Sequence, residues 1–151
     1  MRKFFLPLMA ILLILALVSC DKNRNVKLTA IDENSIVENS SFTITTTKSI
    51  YSTEDTVIEY VILNLKDSEV TYPCDYIYLH KLQDGIWYEV AFKDDMVCFE
   101  DLAGVLMPNQ SVTVKLDLND DFALPLEAGQ YRIAMGQLNY SVTFSNIFTV
   151  Q

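Results

Sequence analysis

Histidine is nearly absent from this 151-residue sequence, in which His80 is the only one. A single histidine cannot form the His pair typical of a zinc site, and the sequence contains no G-x-S-x-G or G-x-x-x-x-G-K-[ST] segment. Basic residues are also scarce, with 11 Lys and Arg against 20 Asp and Glu. Because nucleic-acid binding needs basic side chains that neutralise phosphates, this balance excludes nucleic acid as a partner. We therefore expect no catalytic residues, no metal site and no cofactor.

Long apolar runs are scarce too, and the one present extends over 15 residues from Phe4 to Val18. A membrane-spanning helix needs about 20 apolar residues, so this run is too short for a comfortable span. Two basic residues, Arg2 and Lys3, precede the run, and Leu17-Val18-Ser19-Cys20 closes it. A positive start, an apolar stretch and a small residue before a cysteine are typical of a secretory signal peptide that ends in a bacterial lipobox.

The lipobox predicts that residues 1–19 are a cleaved signal peptide and that Cys20 becomes the acylated N-terminus. Each buried CH₂ contributes about 0.8 kcal/mol, so two or three acyl chains, such as palmitate, hold a small domain firmly on a bilayer. We therefore expect a lipid-anchored protein on the bacterial cell membrane or outer membrane, with its domain outside the cytoplasm. An ordinary cleaved signal peptide, with Cys20 incidental, is the alternative.

The mature chain is predicted to consist of a polar tether, residues 20–39, and one domain, residues 40–151. It contains nine basic and 20 acidic residues, a net charge near −11, so the lipid and not electrostatic attraction must hold it on anionic membranes. Two further cysteines remain, Cys74 and Cys98. In an oxidising compartment such a pair is expected to form a disulfide. Two buried thiols are the alternative, since a free cysteine packs as a small hydrophobe.

Apolar residues alternate with polar ones from residue 40 onward, which favours half-buried strands. Asp84-Gly85 lies between two such segments and predicts a hairpin. No amphipathic helix is indicated after residue 20, although a short strand within 26–31 is possible. The sequence thus predicts an all-β, antiparallel sandwich of about seven strands, with a barrel as the alternative. The predicted strands are 42–47, 58–64, 76–82, 86–90, 111–118, 131–135 and 141–150.

Tyr131, Gly129 and Trp87 have predicted structural roles. Tyr131 follows Gly129 at the start of a strand, which is typical of a tyrosine corner whose hydroxyl bonds to backbone a few residues upstream. Trp87 lies in the return strand of the hairpin, away from the position of an antibody-type core tryptophan. Glu127, just before this corner, is expected to be exposed.

Several segments together resemble the bacterial immunoglobulin-like domains of envelope lipoproteins. They are Tyr51 with Glu54-Asp55, Asp84-Gly85-Ile86-Trp87-Tyr88, Leu106-Met107-Pro108-Asn109-Gln110-Ser111, and Leu126-Glu127-Ala128-Gly129-Gln130-Tyr131-Arg132-Ile133. The chain departs from that pattern at His80, where an acid is usual, at Asn109, which replaces a turn glycine, and at Ala128, which replaces a proline. The resemblance implies an immunoglobulin-like sandwich and says almost nothing about activity.

We expect a non-catalytic binding or scaffolding domain whose partner is an envelope protein, a peptide or a glycan. Tyrosine is enriched on such surfaces, so the candidates are whichever of Tyr72, Tyr76, Tyr78 and Tyr88 face outward; a core role is the alternative. A protease-inhibitor-like protein is the second candidate function. In that case the irregular stretch from Phe92 to Met107 would be the presented loop.

Overall fold

The computed structural model describes residues 28–39, 41–93, 102–122, 125–137 and 141–151. Within them the chain is almost entirely β. Its strands are β1 (Leu28–Ala30), β2 (Phe42–Thr46), β3 (Ile50–Tyr51), β4 (Val57–Asn64), β5 (Val70–Pro73), β6 (Ile77–Gln83), β7 (Ile86–Val90), β8 (Ala103–Leu106), β9 (Ser111–Asp117), β10 (Gly129–Gln137), β11 (Ser141–Phe144) and β12 (Phe148–Val150). A 3-10 helix (Glu33–Ser35) and α1 (Leu118–Asp121) complete it. Neither short helix in these ranges has the length or apolar character to cross a bilayer.

The strands form two main sheets and a small ribbon. The large sheet has the order β1-β7-β6-β10-β12-β3, and β11 also pairs with β10. The second sheet has the order β2-β4-β9, and β5 pairs with β8 as a separate ribbon. Every pair is antiparallel except β3 with β12. The predicted all-β, antiparallel sandwich is therefore confirmed.

Strand β4 shows how the sequence pattern produces the core. Its residues alternate between buried and half-buried, because successive side chains of a strand point to opposite faces. The buried face contributes Ile58, Tyr60 and Ile62, each fully enclosed. They pack in one apolar core that also includes Phe42, Leu79, Tyr131, Ile133, Met135 and Phe148.

The strand registers define two ends of the sandwich. At one end, which we call the Asn64 end, Phe42 lies opposite Asn64 and Met135 lies opposite Ile77. The other end, which we call the Gly85 end, carries the β6–β7 hairpin turn. There both Asp84 and Gly85 have positive φ, 52° and 78°. Positive φ at both central residues is the geometry of a type I′ turn, which matches the twist of a two-residue hairpin.

The structure differs from the predicted tether, because residues 28–39 fold against the domain. Strand β1 pairs with β7, and the Ile31 N–H donates to the Trp87 carbonyl at 3.0 Å. The chain then reaches β11, where Val142 N–H donates to the Val37 carbonyl at 2.9 Å. Since β6 and β10 lie between β7 and β11, residues 31–39 cross the outer face of the large sheet. We call these residues the strap.

Three further segments differ from their predicted form. The stretch from Phe92 to Met107, expected to be irregular, contains β8, which pairs with β5. Strand β3 lies outside all seven predicted strands. The single strand expected over 141–150 is divided into β11 and β12. In the gap between them the Asn146 side chain accepts a hydrogen bond from the Thr46 N–H at 2.8 Å, which ties the large sheet to β2.

Candidate binding cleft and the buried cluster beside it

Two of the three cysteines with predicted roles lie outside the residues that the structure describes. Cys20 and Cys98 lie outside the described residues. Cys74 is exposed and forms no disulfide with a described residue. Partial burial and the charge of Asp75 raise the pKa of its thiol. The Cys74–Cys98 disulfide and the acylation of Cys20 therefore stay predictions.

Tyr131 has the geometry expected of a tyrosine corner. Its side chain is 1% exposed, and its hydroxyl donates to the backbone carbonyl of Glu127 at 2.7 Å. The ring stacks on Phe148 of β12, with the ring centroids 6.0 Å apart. Burial, with the nearby Glu127 charge, raises the pKa of the Tyr131 hydroxyl, so it remains a proton donor. The corner fixes the connection that precedes β10.

Gly129 leaves room for a buried lysine beside this corner. A Cβ on Gly129 would lie 3.2 Å from Cε of Lys81, closer than most real Cβ contacts. The Lys81 side chain is only 10% exposed, and its amino group forms an ion pair with the Glu127 carboxylate. Glu127 is exposed, as expected, but it is also the partner of this nearly buried cation.

Trp87 belongs to a cluster on the outer face of the large sheet. The guanidinium of Arg132 lies between two aromatic rings, 4.2 Å from the centroid of Trp87 and 3.8 Å from that of Phe144. Arg132 also donates to Glu33 of the strap, with Nη2 2.8 Å from Oε1. Burial lowers the pKa of Arg132, and the ion pair with Glu33 opposes that shift. We call Glu33, His80, Trp87, Arg132 and Phe144 the Arg132 cluster.

His80 is the most deeply buried member of this cluster and is fully enclosed. Its Nδ1 accepts a hydrogen bond from Nε of Arg132 at 3.3 Å, and its Nε2 has no partner among the described residues. Burial, assisted by the positive charge of Arg132, lowers the pKa of His80 to about 3. At neutral pH the imidazole is therefore uncharged and shielded from solvent.

The Arg132 cluster holds the strap on the sheet. The Arg132 side chain points away from the core between the sheets, yet the residue is only 8% exposed. The strap covers it. Sequence reasoning did not find this cluster, since Glu33 and Arg132 are 99 residues apart. The only local signal was the unusual position of Trp87 in the hairpin's return strand.

The four tyrosines predicted to be candidates for a binding surface are all half-buried. Tyr72 of β5 and Tyr76 line one cleft at the Asn64 end, with a volume of about 340 Å³. Phe42 and Met135 line it from the two main sheets. Tyr78 and Tyr88 do not line this cleft; Tyr78 packs edge to face against Phe92, with centroids 5.9 Å apart.

The position of Tyr72 depends on Gly104, which lies opposite it in the ribbon. A Cβ on Gly104 would lie 2.2 Å from the Tyr72 ring, so only glycine allows the ring to lie against the β8 backbone. The polar groups of the cleft come from Asn39, Thr71 and Ser141. None of the described lining residues is charged, so the cleft suits an uncharged and partly apolar occupant.

Metal binding has no support in the described part of the chain. Within those ranges no three His, Cys, Asp or Glu side chains lie close enough together to hold an ion. A second cavity, of about 370 Å³, lies near the Gly85 end and is lined by Lys48, Tyr51, Asp55, Glu59 and Lys115 among others. Its lining groups have charges of both signs, which is typical of a solvated surface.

Among solved structures, similarities were found to segments of much larger enzymes. A β-glucosidase from Erythrobacter marinus shows 15% identity over 72% of this chain and 15% of that one, with a TM-score of 0.38. The β-glucosidase from Listeria innocua in complex with glucose shows 16% identity over 72% and 16%, with a TM-score of 0.39. That from Kluyveromyces marxianus shows 15% identity over 73% and 14%, with a TM-score of 0.37. The chain thus spans about a sixth of each enzyme's length or less.

No curated protein matches the chain. Residues 38–146, which include β2 to β11, match the Bacterial Ig-like domain family. This range contains the tyrosine corner, the hairpin and the cleft tyrosines, and it covers most of the folded part. The chain therefore belongs to the bacterial Ig-like domain family, as its sequence motifs predicted.

Proposed function

We propose that this protein is a lipid-anchored component of the bacterial cell envelope whose Ig-like domain binds a partner without catalysing a reaction. The observation that carries the proposal is the cleft between Tyr72 and Tyr76. Two aromatic rings and the apolar Phe42 and Met135 there adjoin the amide and hydroxyl groups of its rim. Aromatic residues with few polar groups around them are typical of binding surfaces.

The single histidine supports a binding role over a catalytic one. An acid–base catalyst needs a pKa near the working pH and contact with its substrate. His80 has neither, because it is fully buried and its pKa is lowered to about 3. The Arg132 side chain, its hydrogen-bond partner, is enclosed by aromatic rings and an ion pair.

The anchor is supported by the lipobox-like segment Leu17-Val18-Ser19-Cys20. In the bacterial envelope, Cys20→Ala should abolish incorporation of labelled fatty acid and leave unprocessed precursor or release soluble protein. Cys74→Ala is the control for loss of a cysteine elsewhere: it removes the predicted Cys74–Cys98 bond but leaves the lipobox intact, so labelling should persist. A mature N-terminus elsewhere, without acyl mass on Cys20, would overturn the anchor.

The cleft is tested by crosslinking in intact cells. A photo-crosslinking amino acid at position 76 should capture the occupant, whereas one at position 113, exposed on the edge strand β9, should not. Tyr72→Ala should weaken the crosslink from position 76, because the neighbouring ring forms one wall of the cleft. Equal capture from both positions, insensitive to Tyr72→Ala, would remove the cleft as the binding surface.

The alternative of a protease inhibitor receives less support. An inhibitor presents an exposed loop to its protease, and the candidate loop was the stretch from Phe92 to Met107. Residues Ala103–Leu106 of that stretch are paired in a ribbon with β5, so they are not available as an extended loop. A panel of purified proteases, assayed with the mature protein, distinguishes the two functions.

A further inference from the structure

Exposed apolar side chains concentrate at the Asn64 end of the sandwich. Of the large apolar residues that the described ranges leave exposed, Val37, Leu65, Leu102, Val105 and Met107 belong to this end. Their exposed fractions lie between 52% and 61%. Only Ile50, Ile86 and Ile147 are comparably exposed elsewhere in those ranges, and they do not adjoin this group.

Hydrogen bonds, shared cavities and, for Val105, its position on β8 two residues before Met107 show that these five residues are neighbours. The Asn64 side chain donates to the carbonyls of Leu106 and Met107, at 3.0 and 3.1 Å, which places Met107 beside Leu65. Leu65 lines a small cavity together with Glu38 and Asn39, next to Val37. Leu102 lines the tyrosine cleft. The five side chains therefore form an apolar rim around the cleft.

The chain enters the domain from the same end. Strand β1 is antiparallel to β7, which runs from the Gly85 end toward the Asn64 end. Strand β1 therefore runs away from the Asn64 end, and its first residue, Leu28, lies on that side of the sheet. Leu28 lies only eight positions after Cys20, so the fully extended chain from one to the other spans at most about 28 Å.

We infer that the apolar rim at the Asn64 end rests on the bilayer surface beside the lipid anchor. This inference rests on the proposed acylation of Cys20, and it identifies the membrane lipid as the partner of the Asn64 end. A short connection brings the rim to the membrane, and side chains such as Leu65 and Met107 enter the interfacial region of the lipid. Tyr72 and Tyr76 then lie at the headgroup level, where tyrosine is favoured because one end of its ring is apolar and the other is polar.

The charges near the rim define the lipid that it prefers. The turn that follows Leu65 contains Lys66, Asp67 and Glu69, all exposed, and Glu38 lies beside the small cavity. These residues give the rim a negative net charge, which opposes binding to an anionic surface. The rim should therefore contact a zwitterionic bilayer more closely than an anionic one.

The experiment uses the full mature protein, acylated at Cys20 and reconstituted in phosphatidylcholine vesicles with brominated acyl chains. A fluorescent amino acid replaces Met107 in one variant and Ile86 in another; both are exposed apolar residues, at opposite ends of the sandwich. The bromine atoms should quench the label at 107 and leave the label at 86 unaffected. Adding anionic lipid should reduce the quenching at 107.

A second variant keeps the test independent of the labelled position. With the label at Leu102, the double substitution Leu65→Ser and Met107→Ser should abolish the quenching, and a melting curve checks that the fold persists. Equal signals at 107 and 86, or capture of a protein in place of lipid by the crosslinker at position 76, would overturn the inference. The mass of the N-terminal peptide separates this failure from failure of the anchor. If Cys20 is acylated but the label is not quenched, the anchor is correct and only the contact between the rim and the bilayer is contradicted.

Discussion

The hydroxyl of Tyr131 donates to the backbone carbonyl of Glu127 at 2.7 Å, whereas the hydroxyl of Tyr60 has no partner among the described residues. Both side chains are almost completely buried in the same core, Tyr131 1% and Tyr60 0% exposed. Burial raises the pKa of both hydroxyls, so both are neutral under ordinary conditions. The two tyrosines therefore allow the hydrogen bond to be separated from the burial of the ring.

Tyr131→Phe should destabilise the domain by about 1 kcal/mol, since it removes one hydrogen bond and keeps the ring. The cost is at the lower end of the usual range because Glu127 is exposed, so water can replace the lost donor. Tyr131→Ala also creates a cavity and should cost about 3 to 5 kcal/mol. Urea unfolding gives both values. An unchanged midpoint for Tyr131→Phe would show that the corner hydrogen bond does not stabilise the fold.

Tyr60→Phe is the matched substitution, and it should leave stability unchanged or increase it by about 1 kcal/mol. A buried hydroxyl without a partner lost its hydrogen bonds to water on folding, so its removal carries no penalty. The same urea experiment checks this prediction. A loss as large as that of Tyr131→Phe would mean that the Tyr60 hydroxyl has a partner, such as a buried water.

The sequence pattern was sufficient to predict the sandwich and the turns. Alternation in β4 and β9, and the Asp84-Gly85 turn, are local signals that tertiary packing reinforces. The Arg132 cluster was beyond such reasoning, because its geometry depends on how four strands align and on a strap that covers them. Polar residues on an outer sheet face are normally exposed, so nothing local indicated that His80 and Arg132 are buried. The cleft, likewise, exists only where two sheets and a ribbon meet.

Glu127→Gln should destabilise the domain by about 1 to 2 kcal/mol, although the Glu127 side chain is exposed. The substitution weakens the partner of Lys81, whose side chain is only 10% exposed, and a poorly hydrated cation needs its counterion. Glu59→Gln is the control, because its partner Lys115 is 71% exposed and such surface pairs contribute less than about 1 kcal/mol. Equal effects of the two substitutions in thermal melts would contradict the assigned role of Glu127.

If the protein is exported as proposed, Cys74 and Cys98 should be joined, because export places the pair in an oxidising compartment and Cys74 is exposed. Closing this loop should stabilise the fold by about 3 kcal/mol. Alkylation of the denatured protein without reductant should add no mass, whereas alkylation after reduction should modify both thiols. Mass added without reductant would show that the two thiols are free.

Acid should destabilise the domain, because burial lowers the pKa of His80 in the folded state. The pKa is about 3 in the folded protein, against an ordinary value of 6.5. Between these values the unfolded chain binds a proton that the folded domain does not, so stability is lost as the pH falls from 6.5 toward 3. The loss can reach about 1.4 kcal/mol per pH unit.

His80→Gln should therefore flatten the dependence of unfolding free energy on pH between 5 and 6.5, whatever its effect on stability at neutral pH. The groups facing His80 are Arg132, which stays charged, Glu33 on the strap and Glu89, its cross-strand neighbour on β7. Burial raises the pKa of Glu89, so the folded domain gains that proton first and Glu89 acts in the opposite direction to His80. Glu89→Gln should accordingly steepen the pH dependence. Urea unfolding across this pH range measures all three proteins. An identical slope for wild type and His80→Gln would mean that burial leaves the pKa of His80 unchanged.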